Sequence, residues 1–333
     1  MSRSKPEDAL AVIFSLSGPE LTEAERDFFR TANPFGFILF ARNCENPEQV
    51  RKLTDDLREC VGRKDCPILI DQEGGRVQRL SPPEWRQYEP MKTYGDKAKD
   101  GDLSGAIETI RFVTLQMAQE LVEAGVNVNC APVMDVLCGE TDEVIGDRAF
   151  SDDPQIVAQL GLAMCRAYLT AGITPVVKHI PGHGRAACDS HKELPVVDAP
   201  LAAMLHMDFE PFKEIAASDL ADGVWGMTAH VVYSEIDPDR PVSVSQGVIS
   251  NIIRGTMRFE GFLLSDDLDM EALAGFGDIP ERALAVLAAG CDCALYCAGN
   301  LEIMEKIAES VPKLSPKALQ RLQKAEEFRK VSA

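Results

Sequence analysis

Two short stretches of this 333-residue chain carry side chains that could act on a bond. Ser265-Asp266-Asp267 ends a strongly apolar run, and Asp189-Ser190-His191 closes a loop rich in glycine and histidine. A carboxylate presented where a strand ends can attack an anomeric carbon and hold it as a covalent ester. Of the two adjacent carboxylates, one is expected to project into the mouth of the fold and the other to turn aside into the loop. An aspartate two residues before a histidine can accept the Nδ1 proton, which sets the tautomer and leaves Nε2 free for proton transfer. The same spacing also suits a surface Asp and His that never touch.

Metal binding is another use of that loop, because His179, His183, Asp189 and His191 are all ligand types. Hydrolytic metal barrels carry an HxH at the end of the first strand, where this chain reads Ser15-Leu16-Ser17-Gly18. His230 is the one further histidine in a comparable position, so neither a metal nor a cofactor is expected.

Elements that could position these groups alternate along the whole chain. Short apolar runs at 11–15, 36–40, 67–71, 126–132, 174–178, 223–229, 262–265 and 292–297 read as eight strands. Between them lie helical patterns at 23–31, 47–61, 104–124, 154–171, 207–217, 246–257, 280–289 and 301–309. Thr22 with Glu25 and Asn46 with Gln49 read as capping boxes. Eight strand-helix units predict an α/β fold, a TIM-type (β/α)8 barrel formed by residues 1–333 as one domain. A helical extension from about 313, with a helix near 316–329, is expected to pack outside the barrel, and 81–102 reads as a long irregular connection. A doubly wound open sheet is the competing architecture, but Asp71-Gln-Glu-Gly-Gly-Arg76 lacks the GxGxxG spacing.

In such a barrel the chemistry sits where strands end. Polar residues fall there repeatedly: 71–79 after the third strand, Asp135 and 146–150 after the fourth, 178–191 after the fifth, 227–230 after the sixth and 265–270 after the seventh. Any one of these, such as Asp135, could simply cap a helix or close a turn. Charged groups at strand ends cost several kcal/mol to desolvate, so their convergence argues for a site.

Composition removes other classes. The net charge of −19, from 53 acidic against 34 basic residues, disfavours nucleic acid as a partner. No apolar stretch approaches the roughly 20 residues needed to span a bilayer, and 9–16 reads as a strand rather than a signal peptide, so a cytoplasmic protein without membrane contact is expected. Ten scattered cysteines form no C-x2-C pair, and Cys291, Cys293 and Cys297 are expected to share one buried face of the last strand.

Taken together, Lys178-His-Ile-Pro-Gly-His-Gly184 with Asp189-Ser-His191, and Ile70-Asp-Gln-Glu-Gly-Gly-Arg-Val-Gln-Arg79, resemble glycoside hydrolase family 3, specifically its single-domain bacterial β-N-acetylglucosaminidases of cell-wall recycling. The resemblance runs from about Ser15 to Cys297. It implies a retaining glycosidase with Asp266 as nucleophile, His191 as acid/base and Asp189 supporting it. It further implies that Asp71, Arg79, Arg148, Lys178 and His179 contact the N-acetylglucosamine hydroxyls and acetamido group. The implied substrates are N-acetylglucosaminyl-anhydro-muramyl peptides, with a broader β-hexosaminidase or β-glucosidase as the alternative, acting as a monomer. The middle of the loop, Arg185-Ala-Ala-Cys188, belongs to no shared motif, and no chain is left after the barrel for the second domain that many family 3 glucosidases carry.

Overall fold

The computed structural model describes residues 5–139 and 141–332. Eight parallel strands close into a barrel: β1 (Leu10–Phe14), β2 (Pro34–Leu39), β3 (Ile68–Ile70), β4 (Val128–Asn129), β5 (Thr174–Ile180), β6 (Trp225–Thr228), β7 (Leu263–Asp267) and β8 (Cys293–Tyr296). Each lies beside its neighbours in sequence, and β8 returns to β1 with Val12, Ile13 and Phe14 opposite Ala294, Leu295 and Tyr296. This is the expected (β/α)8 barrel.

The strands are apolar on both faces because both are covered. Ala11, Ile13, Leu69, Val176, Leu264, Cys293 and Leu295 fill the interior. Their neighbours Val12, Phe14, Ile68, Ile70, Val177, Leu263 and Ala294 pack outward against helices such as Pro47–Val61, which buries Val50, Leu53 and Leu57. Period-two alternation therefore sorts the core into two layers.

Two strands break that alternation at their C-terminal ends. The register between β5 and β6 shifts between Val177 and Ile180, and that between β7 and β8 shifts between Leu264 and Asp267. An extra residue in one strand re-aims the side chains beyond it. Here two consecutive polar residues on each strand, Lys178 with His179 and Asp266 with Asp267, line the same opening. Both residues border the opening, and in keeping with the expectation the Asp267 carboxylate turns aside into the loop, where it accepts from the Asp269 and Cys297 amides.

Several local expectations also change. The connection at 81–102 contains a helix, Met91–Lys99, that buries Met91, Tyr94 and Ala98. Its short apolar spacing follows Pro82, Pro83 and Pro90, which mask it. The helix expected over 207–217 is Glu210–Ala217, with Pro211 in its first turn, where its missing N–H costs nothing, and a separate short helix, Leu201–His206, precedes it. The segment Val248–Thr256 is wound as a π-helix. Thr22 and Glu25 form their reciprocal box. Asn46 accepts from the Gln49 amide at 2.9 Å, but the Gln49 side chain accepts from the Glu45 amide instead of completing the box.

The last helix, Pro316–Ser332, does not simply lie outside the barrel. Leu314 and Ala318 join Ala9, Ala11, Phe35, Trp225 and Phe262 in the interior cluster, so this segment closes the N-terminal end of the barrel. That end presents aromatic side chains that would otherwise meet water. Cys293 and Cys297 point inward as expected, whereas Cys291 precedes β8 and joins the outer layer. All ten cysteines are free. Among the described residues, no helix is long and apolar enough to cross a membrane.

Candidate active site

At the C-terminal ends of the strands lies a cavity of about 220 Å³. Ile38, Met227 and Leu295 supply its apolar lining, from side chains at the top of the barrel core. Asp71, Arg79, Arg148, Lys178, His179, His191 and Asp266 all line it, which brings together seven of the eight residues singled out from the sequence. The eighth, Asp189, contacts His191 from behind.

The cationic side chains are held by carboxylates. Lys178 Nζ lies 2.8 Å from Asp71 and 2.6 Å from Glu73. Arg148 grips Glu73 with Nε at 2.8 Å and Nη2 at 2.9 Å, a bidentate pair. Arg79 reaches Asp71 at 3.2 Å, and its guanidinium lies 5.2 Å from the Phe40 ring centroid, which Arg42 also approaches, at 4.9 Å. Burial alone would raise Asp71 and Glu73, but Lys178, Arg79 and Arg148 outweigh it and hold both below the usual carboxylate range. Burial would lower Lys178, yet the two carboxylates raise it above an ordinary lysine. The group is thus fully ionised at neutral pH.

Two Asp-His pairs differ in setting. Asp135, completely buried, holds His179 Nδ1 at 2.7 Å and accepts from the His179 amide at 3.2 Å and the His183 amide at 2.6 Å. It fastens the turn after β5 and orients the His179 ring. Asp189 Oδ1 holds His191 Nδ1 at 2.8 Å and accepts the His191 amide at 2.9 Å. Here the imidazole is 61% exposed and its Nε2 has no partner among the described residues, which is the arrangement proton transfer requires. Burial raises Asp189, but the bonds from His191 outweigh it and keep the carboxylate ionised.

The adjacent aspartates of β7 are electrostatically opposite. Burial raises Asp266, but His179, His230, the Asp267 amide and Lys178 together hold it below the ordinary range, as an attacking carboxylate needs. Asp267 is pushed up to about 6 by burial, with Asp266 and Asp269 adding repulsion. Its Oδ1 accepts from the amides of Asp269 at 3.2 Å and Cys297 at 3.1 Å, so it braces the loop. His230 braces it too, with Nδ1 2.7 Å from the Ser243 hydroxyl and Nε2 donating to the Asp267 carbonyl at 3.0 Å.

Glu73 and Asp135 are the residues that sequence reasoning left out of the site. Glu73 sits within the motif at 70–79, and its acidity between two glycines and a strand was the available signal. Asp135 was left open as a cap, and its real partners lie 44 and 48 residues away. Among the described residues, no group of three or more His, Cys, Asp or Glu side chains is placed to share a metal ion. The donors once weighed for a metal are divided among separate partners: Asp135 for His179, Ser190 for His183 and Asp189 for His191.

The family model described as "Glycosyl hydrolase family 3 N terminal domain" matches residues 13–328. The chain belongs to glycosyl hydrolase family 3. This family 3 glycoside hydrolase is 38% identical over 300 residues to a Beta-hexosaminidase of Bordetella avium, covering 89% of this chain and 84% of that one. It is 40% identical over 285 residues to a Beta-hexosaminidase of Methylococcus capsulatus, covering 86% and 82%. Among solved structures, NagZ from Neisseria gonorrhoeae in complex with N-trifluoroacetyl-D-glucosamine superposes with a TM-score of 0.86 at 30% identity, over 97% of this chain and 93% of the other. A family 3 β-N-acetylglucosaminidase from Paenibacillus sp. gives the same TM-score of 0.86 at 28% identity, and the match covers all of this chain and 63% of that protein.

Proposed function

We propose that this glycoside hydrolase is a retaining exo-β-N-acetylglucosaminidase that removes terminal N-acetylglucosamine from N-acetylglucosaminyl-anhydro-muramyl peptides. The observation that carries the reading is one cavity lined by an ionised Asp266 and by His191, an imidazole backed by Asp189 with Nε2 free. The names and titles of the relatives, Beta-hexosaminidase and β-N-acetylglucosaminidase, support the choice of sugar.

Asp71, Arg79, Arg148, Lys178 and His179 hold the sugar through its hydroxyl and acetamido oxygens, with donors and acceptors pre-set by their own ion pairs. In the first step an Asp266 carboxylate oxygen bonds to C1 and the C1–O bond to the leaving group breaks. His191, protonated, gives its Nε2 proton to the departing oxygen. In the second step water attacks C1, its proton passes to His191 Nε2, and the ester breaks to regenerate Asp266. Asp189 stabilises the imidazolium and holds the ring. At the rim, Arg76 pairs with Asp147 at 2.9 Å and donates to the Val144 carbonyl at 3.0 Å, bracing the edge where the leaving group would lie. Cytoplasmic placement and action as a monomer belong to the same proposal.

His191→Ala is the decisive variant. It is expected to slow substrates with poor leaving groups by roughly 10²–10⁴-fold while sparing activated aryl glycosides, which need no proton. Asp189→Ala should depress the rate in the same pattern, by less. Equal losses on both substrate types would remove His191 from the acid's role. Chromogenic β-N-acetylglucosaminide should be turned over in preference to the β-glucoside in parallel assays; the reverse preference would favour the broader glycosidase. Activity should also survive exhaustive dialysis against EDTA, since each step uses only a carboxylate and an imidazole. Loss of activity restored by zinc would overturn that chemistry.

A further inference from the structure

The His191 imidazole is exposed, and its one side-chain hydrogen bond goes to Asp189, two residues away on the same loop. Nothing in that pair ties the imidazole to the barrel. The residue between them does. Ser190 is 4% exposed, its hydroxyl lies 3.2 Å from His183 Nε2, and its carbonyl accepts from the Ala272 amide at 3.2 Å.

Both anchors are themselves fixed. The His183 amide donates to Asp135 at 2.6 Å, and its ring packs edge-on to His179 at 5.5 Å between centroids. Ala272 follows the strand that carries Asp266, and it and Leu273 are the buried residues of the 3-10 turn Glu271–Phe276. The His183 ring is 98% buried, and its Nδ1 has no hydrogen-bond partner among the described residues, so either neutral tautomer can serve the Ser190 hydroxyl. Burial and the neighbouring His179 hold His183 down at about 4, so the ring stays neutral across the working range.

We propose that His183 and Ser190 form a latch that positions His191 over the pocket, so that the acid/base acts through a hydroxyl-imidazole contact it does not itself make. The inference rests on the reading of His191 given above. His183 and Ser190 are positioning residues: they set where Nε2 stands relative to Asp266 and take no proton from substrate. The loop is bonded to the end of β5 and to the segment after β7, and so spans the two strands whose bulges supply Lys178, His179 and Asp266.

Ser190→Ala removes one bond of the latch at a residue that itself borders the cavity, so leaving-group dependence, and not the rate alone, is the readout. It is expected to lower kcat/KM about 10-fold for phenyl β-N-acetylglucosaminide and less than about 2-fold for the 2,4-dinitrophenyl glycoside, and to add nothing further in a His191→Ala background. His183→Gln, whose amide reaches as far as Nε2, should retain most of the rate that His183→Ala loses. Amide hydrogen exchange across 186–193 should accelerate in Ser190→Ala. With His191→Ala itself leaving-group dependent, equal losses on both glycosides or a loss that persists in the His191→Ala background would overturn the latch, and unchanged exchange would overturn it in any case. Faster exchange combined with a His191→Ala variant that shows no leaving-group dependence would sustain the latch and sink the acid assignment instead.

Discussion

Asp266→Ala is expected to lower turnover by roughly 10⁴-fold or more while leaving the protein folded. The proposed mechanism has no other group that can form the ester to C1, so the loss is that of the covalent route itself and not of binding. KM or sugar affinity should change little by comparison, because the ion-paired residues proposed to hold the sugar are untouched. Stability should be nearly unaffected: the Asp266 carboxylate accepts one bond, from the Asp267 amide at 2.8 Å, and it is only half-buried. A 5-fluoro N-acetylglucosaminyl fluoride should label Asp266 covalently, because fluorine at C5 slows breakdown of the ester and fluoride leaves without an acid. A label on Asp267 would move the nucleophile by one residue. No label, with turnover intact, would point to attack by the substrate's own acetamido group.

The second large effect falls on stability. Glu73→Ala should cost about 3–5 kcal/mol, because Arg148 loses a bidentate partner and Lys178 one of two, and both cations stay buried. Glu73→Gln should cost less, since the amide still accepts one bond. The pH dependence follows from the depressed folded-state value. Glu73 titrates at about 2 in the fold against an ordinary 4.5, so its contribution is fully present above pH 4.5 and is lost as pH falls toward 2. Urea unfolding of wild type and Glu73→Gln should therefore differ most at neutral pH and converge in acid. A difference that is small at pH 7, or that does not shrink in acid, would contradict the role assigned to this carboxylate.

The barrel was legible because its strands are short, apolar on both faces and separated by capped helices, a pattern with few other solutions. The helix Met91–Lys99 was not, since one buried face of three residues among prolines is too short a period to read. Within the site, residues with a distinctive chemical pattern were found: Asp266 at a strand end, and Asp189 and His191 two apart. Glu73 and Asp135 were missed for a common reason. Their importance lies in the partners they meet, Arg148 at a separation of 75 residues and His183 at 48, and linear spacing does not carry that information. The bulges were hidden likewise. Strict alternation does not reveal that Asp266 and Asp267 border one opening, with the Asp267 carboxylate bonded into the loop beside the shifted pairing with β8.

The packed interior beneath the cavity has a bearing on traffic. Leu295, Met227 and Ile38 contribute to the apolar base of the cavity, and the segment around Leu314 and Ala318 closes the opposite end of the barrel, so the described residues leave no rear exit. Whatever enters must leave by the same door. On the proposed mechanism the leaving group departs first, and the freed sugar is the last to go. While it stays, it occupies the place of the next chain end. Free N-acetylglucosamine should accordingly compete with substrate, and the enzyme's throughput in a sugar-rich medium should be set by how fast that one doorway clears.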